Sequence, residues 1–156
     1  MLRRAEVAGI DLEHVELELG RPSAVWILGK GRTGRERMAL PSSTALALGD
    51  WLTVRGREPG PVFVPLDRLR PTGPPTRLTG RSIARIVNAV GVRAELPRRV
   101  APHGLRHEAI TRAVEMGESL IDVQKVARHR DPRTTQRYID RVKNPQGRIS
   151  RLISED

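Results

Sequence analysis

The chain contains no cysteine. That removes a disulfide framework, a thiolate zinc site and a thiol nucleophile together. Aromatic side chains are almost as scarce: Trp26, Trp51, Phe63 and a single tyrosine, Tyr138, in 156 residues. So few argue against a surface that stacks the bases of a single strand. No apolar run approaches the ~20 residues that span a bilayer, and no secretory leader is visible, so a soluble, intracellular protein is expected. Lysine is nearly missing, with only Lys30, Lys125 and Lys143. Arginine therefore carries most of the 28 basic side chains, which stand against 18 acidic ones and leave a net charge of +10. At 156 residues the length suits one domain with its own core. A surplus of that size points to a polyanionic partner, with nucleic acid the default.

The charge is graded along the chain. Residues 1–50 are neutral overall, whereas 51–96 carry +5 and 97–151 carry +7. A solvated arginine face would spread more evenly, so the gradient favours a binding face toward the C-terminal half. The element pattern changes with it. Leu2 to Gly9 reads as a short helix. Val15, Leu17 and Leu19 alternate with glutamates in the period of a half-buried strand. A turn at Gly20–Ser23, an apolar strand over Ala24–Leu28, a glycine-rich loop and a third strand over Arg35–Leu40 complete an antiparallel meander. Helices are expected to start at Pro41-Ser42-Ser43, by serine capping, through about Val54, then from Thr79, over 103–117, from Ser119, and after Asp131-Pro132. Residues 65–78 are proline-rich and read as loop. The fold class is α+β: mainly helical, with a small three-stranded antiparallel sheet.

Several side chains could carry chemistry. His103 and Arg106 stand three apart and share a helix face. They pair a titratable donor with a planar cation that can clamp phosphate, and Arg106 is expected to be exposed. His103 and His107, four apart, could also start a metal site, but they lack a third ligand. His129 and Tyr138 flank the Asp131-Pro132 break and can converge at a corner. A phenol becomes a nucleophile when nearby cations stabilise its phenolate. Lys30 lies between two glycines at a strand end, where its ammonium can swing to a leaving oxygen. Taken singly, each could be an ordinary surface or core residue.

Taken together they resemble the catalytic domain of the tyrosine recombinase (phage integrase) family. The family's first arginine motif, roughly Gly-Leu-Arg-x-Ser-Glu-Leu, is echoed in Leu2-Arg3-Arg4-Ala5-Glu6-Val7. Its hairpin lysine sits in Gly-Lys-Gly, as in Gly29-Lys30-Gly31. Its His-x-x-Arg matches His103 to Arg106, with His107 following as is common there. Its late histidine, often in Leu-Gly-His, matches Ala127-Arg128-His129. Its Thr-Thr-x-x-Tyr context matches Thr134-Thr135-Gln136-Arg137-Tyr138. No one motif is specific; all of them in order over nearly the whole chain are.

The resemblance implies site-specific recombination of double-stranded DNA through a 3′-phosphotyrosine intermediate. Arg3 and Arg106 would neutralise the phosphate, Lys30 would protonate the departing 5′-oxygen, and His103 and His129 would donate hydrogen bonds or move the Tyr138 proton. Glu6 and His107 would be accessory. Because the bond energy is kept in the protein–DNA link, no metal or other cofactor is expected. The partner is DNA, with a homotetramer on paired sites, no membrane and a place at the cytoplasmic nucleoid. The resemblance also implies that 1–156 is a catalytic domain truncated at its N-terminus, without the family's separate DNA-clasping domain. The Leu-Gly before the late histidine is replaced by Ala127-Arg128, and the tail from Gly147 resembles a segment that docks on a neighbouring protomer. A catalytically silent DNA-binding remnant and a type IB topoisomerase-like relaxing enzyme remain the alternatives.

Overall fold

The computed structural model describes residues 1–66, 76–142 and 144. They form two compact units, one of Arg3–Pro102 and one of Met1–Leu2 with the chain from His103 onward.

In the Arg3–Pro102 unit, helix α1 (Arg4–Ala8) leads through a 3-10 turn (Leu12–His14) into strands β1 (Val15–Glu18), β2 (Arg21–Leu28) and β3 (Arg35–Ala39). The sheet is antiparallel in the order β1-β2-β3, as the alternation predicted. The β1–β2 turn falls one step earlier than expected. Leu19 and Gly20, both with positive φ (50° and 77°), make the turn, and β2 already begins at Arg21. A two-residue hairpin turn whose backbone follows the sheet twist needs positive φ at both positions, which Gly20 adopts without strain. Pro22, which has no N–H to give, is accommodated at a bulge between Glu16 and Leu17. Glu16 and Arg37 reach across β2 in a two-bond fork of 2.7 and 2.9 Å. Hydrogen bonds from Arg37 hold the Glu16 carboxyl below its ordinary value.

Helix α2 (Ser42–Arg55) packs on β2. Its N-cap is Pro41, with no side-chain cap, so the expected serine cap is not formed. Trp51 ties the helix to the following chain by donating to the Val62 carbonyl at 2.8 Å. Arg55, 7% exposed, closes the loop behind the helix by donating to the carbonyls of Gly56, Glu58 and Pro61. The expected extended piece at Pro61–Val64 bridges Asp11 at Pro61, and Val62 N donates to the Ile10 carbonyl at 2.9 Å. Helix α3 (Gly80–Arg93) is capped by Thr79, whose hydroxyl accepts from Ser82 N at 3.1 Å, and it packs against α1. Ile10, Ala24, Val25, Ile27, Val62 and Val64 form the buried interior of this unit.

The second unit is helical: α4 (Pro102–Glu115), α5 (Leu120–Ala127) and α6 (Pro132–Val142). Pro102 and Pro132 each occupy a first helical position, where a missing N–H costs nothing. Ser119 caps α5, accepting from Asp122 N at 3.1 Å. Ile110, Val114, Val123 and Ala127 form its core, with Met1, Tyr138, Ile139 and Val142 packed against them. The tail from Gly147, read as a docking segment, lies outside the described residues. Among the described residues no helix is long and apolar enough to cross a membrane.

Candidate active site

The helical unit holds five of the expected site residues: His103, Arg106, His107, His129 and Tyr138. Tyr138 projects from α6 toward the core and is half-buried. Its ring lies 4.7 Å from the His107 ring at 49°, and 6.0 Å from the His129 ring at 20°. The phenol is thus flanked by two imidazoles from different elements, α4 and the α5–α6 corner. That is the convergence the Asp131-Pro132 break predicted. His129 is held in turn: its Nδ1 lies 2.8 Å from the Thr135 hydroxyl, and its backbone N donates to Gln124 O at 3.2 Å. His107 Nδ1 is 3.4 Å from Thr111 Oγ1.

Arg106 departs from expectation. It is 6% exposed, not a surface cation. Its guanidinium donates from Nη1 to the Met1 carbonyl and from Nη2 to the Ala127 carbonyl. Ala127 is the last residue of α5, so the cation sits on that helix's negative end. Both acceptors are remote in sequence, which is why helical spacing suggested only a phosphate clamp. His103, one turn earlier on α4, is exposed.

The remaining expected residues belong to the Arg3–Pro102 unit. Arg3 precedes α1 and Glu6 is buried within it. The Glu6 carboxylate accepts from Arg3 N at 2.6 Å and from Arg3 Nη1 at 2.9 Å. A charge-assisted pair of this kind fixes both the helix start and the guanidinium. Lys30 is exposed at the end of β2, in the loop leading to β3. Gly31 has φ +71°, and a Cβ added there would meet nothing within 4 Å. Backbone geometry rather than crowding therefore calls for glycine beside the lysine. The same unit holds Asp11, Glu13 and His14 close together, but His14 Nδ1 accepts from Asp11 N at 3.0 Å, which accounts for the grouping as a turn.

Charge is arranged around the tyrosine as well. Arg133, Arg137 and Arg141 recur every four residues along α6 and are all exposed on helix positions away from Thr135. Such a stripe can follow a phosphate backbone.

The sequence profile described as the phage integrase family matches residues 1–144. The chain belongs to the phage integrase family. It is 35% identical over 159 aligned residues to a tyrosine recombinase of Synechococcus elongatus, covering 99% of this chain and 48% of that protein. The chain therefore spans about half the length of the curated relatives it matches. The crystal structure of XerA recombinase superposes with a TM-score of 0.70 at 23% identity, over 88% of this chain and 47% of that one. The structure of XerH site-specific recombinase bound to its difH substrate, a pre-cleavage complex, gives 0.65 at 26% identity, over 87% and 38%. These likenesses bear out the mainly helical fold with its three-stranded antiparallel sheet.

Within the phage integrase family's pattern, the Ala127-Arg128 departure now has a structural meaning. Arg128 is the C-cap of α5 and adopts the left-handed conformation, φ 53° and ψ 47°. Glycine takes that conformation most easily, which explains a Leu-Gly-His motif at a helix end. Arg128 keeps the geometry at a cost in backbone strain. Sequence reasoning passed over Thr135 as mere context for the tyrosine. The available signal was its place one helical turn before Tyr138 on the inward face.

Proposed function

We propose that this chain is the catalytic part of a site-specific DNA recombinase. Tyr138 attacks a backbone phosphodiester of double-stranded DNA. A bond forms between the phenolic oxygen and phosphorus, the bond to the 5′-oxygen breaks, and a 3′-phosphotyrosine remains. The phenolic proton leaves to an imidazole, and Lys30 gives a proton to the departing 5′-oxygen. The 5′-hydroxyl of a second DNA end then reverses the step and joins the strands.

Arg3 and Arg106 neutralise the charge that builds on the non-bridging oxygens. A guanidinium has five N–H groups, enough to hold two backbone carbonyls and face a phosphate as well. Glu6 fixes Arg3, while His103 donates to the phosphate. The α6 arginine stripe positions the duplex by backbone contacts. In the whole protein the reaction runs in a homotetramer on paired sites, at the cytoplasmic nucleoid.

The observation that carries this reading is Tyr138 held between His107 and His129 in one compact unit of a phage integrase family chain. The relationship to a recombinase captured on its DNA substrate supports it. Covalent trapping tests it. The chain and its Tyr138→Phe variant are incubated, without metal, with nicked DNA bearing candidate sites and a 5′-bridging phosphorothioate. A protease-sensitive shifted band in a denaturing gel, absent from the Phe variant, is expected. DNA binding with no adduct, even with the relatives' additional DNA-binding region supplied, would establish a silent DNA-binding remnant instead.

A further inference from the structure

The geometry points to Thr135 as a positioning residue that sets the tautomer and orientation of His129 beside the nucleophile. This deepens the recombinase reading and rests on it. Thr135 is 0% exposed, and its hydroxyl is 2.8 Å from His129 Nδ1. It lies on α6 three residues before Tyr138, so one rigid helix carries both the hydroxyl and the phenol. A shift of that helix moves the hydroxyl and the phenol together.

A neutral imidazole has one nitrogen that donates and one that accepts, and a hydroxyl, which can do either, takes the complementary role at Nδ1, so the direction follows from the proton transfer asked of the ring. For His129 to take the Tyr138 proton, its lone pair must be on Nε2. Thr135 therefore accepts from Nδ1–H, and the buried hydroxyl holds that tautomer in place. The rings of His129 and Tyr138 are nearly parallel, 20° apart, with their centroids 6.0 Å apart.

Two readouts test this on the intact chain. The first is the rate of covalent adduct formation for Thr135→Val, which keeps the branched shape without the hydroxyl, and for Thr135→Ser, which keeps the hydroxyl. Partners that fix the tautomer of a metal-bound histidine are worth about 10–100-fold, and the same scale is applied to this pair. A loss in that range for Val, with Ser within about threefold of the unmodified chain, is expected. Equal rates for Val and the unmodified chain, or a Ser variant as slow as Val, would overturn the proposal.

The second readout is the ring ¹⁵N shifts of His129 by NMR, at a pH where imidazole is neutral. The Nδ1–H tautomer is expected to dominate in the unmodified chain and to give way to a mixture in Thr135→Val. A dominant Nε2–H form in the unmodified chain refutes the assignment even if the Val variant does not fold. Should no adduct form even with the relatives' additional DNA-binding region supplied, the recombinase reading fails, and the ¹⁵N result alone decides whether Thr135 holds the ring.

Discussion

Replacing Arg106 by alanine will unfold the chain more easily as well as stop cleavage. The side chain is buried, and its guanidinium bonds two carbonyls, one ending α5 and one at Met1. Hydrogen bonds from a charged donor contribute about 1.5–3 kcal/mol each. Against them stands the cost of keeping a cation out of water, which the alanine variant recovers in part. Water can also enter the space and satisfy one carbonyl. The balance is a loss of about 2–4 kcal/mol, against a total stability of about 5–15 kcal/mol for a typical domain.

The Arg106→Ala chain should therefore remain folded at room temperature, with a Tm lower by roughly 5–15 °C. Thermal and urea unfolding followed by far-UV circular dichroism measure this directly. Arg106→Lys keeps the charge but cannot span both carbonyls with one ammonium, so it should fall between the two. Adduct formation is then compared under conditions where all three are fully folded, which separates the chemical loss from the structural one. An alanine variant within about 0.5 kcal/mol of the unmodified chain would refute the reasoning, since a change that small is ordinary for an exposed site.

Two further substitutions test other parts of the structure. Lys30→Ala should slow cleavage of an ordinary phosphodiester by about 10²–10⁴-fold, the usual worth of a positioned general acid. It should cost far less on a 5′-bridging phosphorothioate, whose leaving group needs no proton; an unchanged ratio between the substrates would remove Lys30 from that role. Arg128→Gly should relieve the left-handed strain at the end of α5 and raise stability by about 0.5–1 kcal/mol. A lower urea midpoint would mean that the arginine's own contacts outweigh the strain.

What could be read ahead of the structure was what local patterning determines. The run from Val15 located the first strand and Asp131-Pro132 the start of α6, because both signals act within a few residues, but the alternation did not mark a buried face: Leu17 and Leu19 are exposed, and Leu19 lies in the turn. The β1–β2 turn was misplaced because Gly20-Arg21-Pro22-Ser23 has the composition of a turn. The backbone needed only Leu19 and Gly20, and a bulge made room for Pro22 within the strand. The pairing of His129 with Tyr138 was foreseeable from the break between them. The hydroxyl of Thr135 at His129 was not, since its significance depends on which face of α6 is buried.

Arginine itself was read too uniformly. A net charge of +10 suggested a cationic surface, yet Arg55 and Arg106 are among the most buried polar residues described. Both end on backbone carbonyls: Arg55 on those of Gly56, Glu58 and Pro61 in the loop after α2, and Arg106 on those of Met1 and of Ala127 at the end of α5. A helix leaves its last carbonyls without intrahelical partners, and a guanidinium supplies several donors in one plane together with a charge that suits the helix dipole. In a chain with 38% hydrophobic residues and four aromatic rings, such ties take the place of larger apolar side chains. The arginines that the proposed recombinase reading leaves to contact a DNA backbone are therefore those in exposed rows, such as Arg133, Arg137 and Arg141 along α6. Pattern and burial together, rather than the total charge, distinguish the two groups.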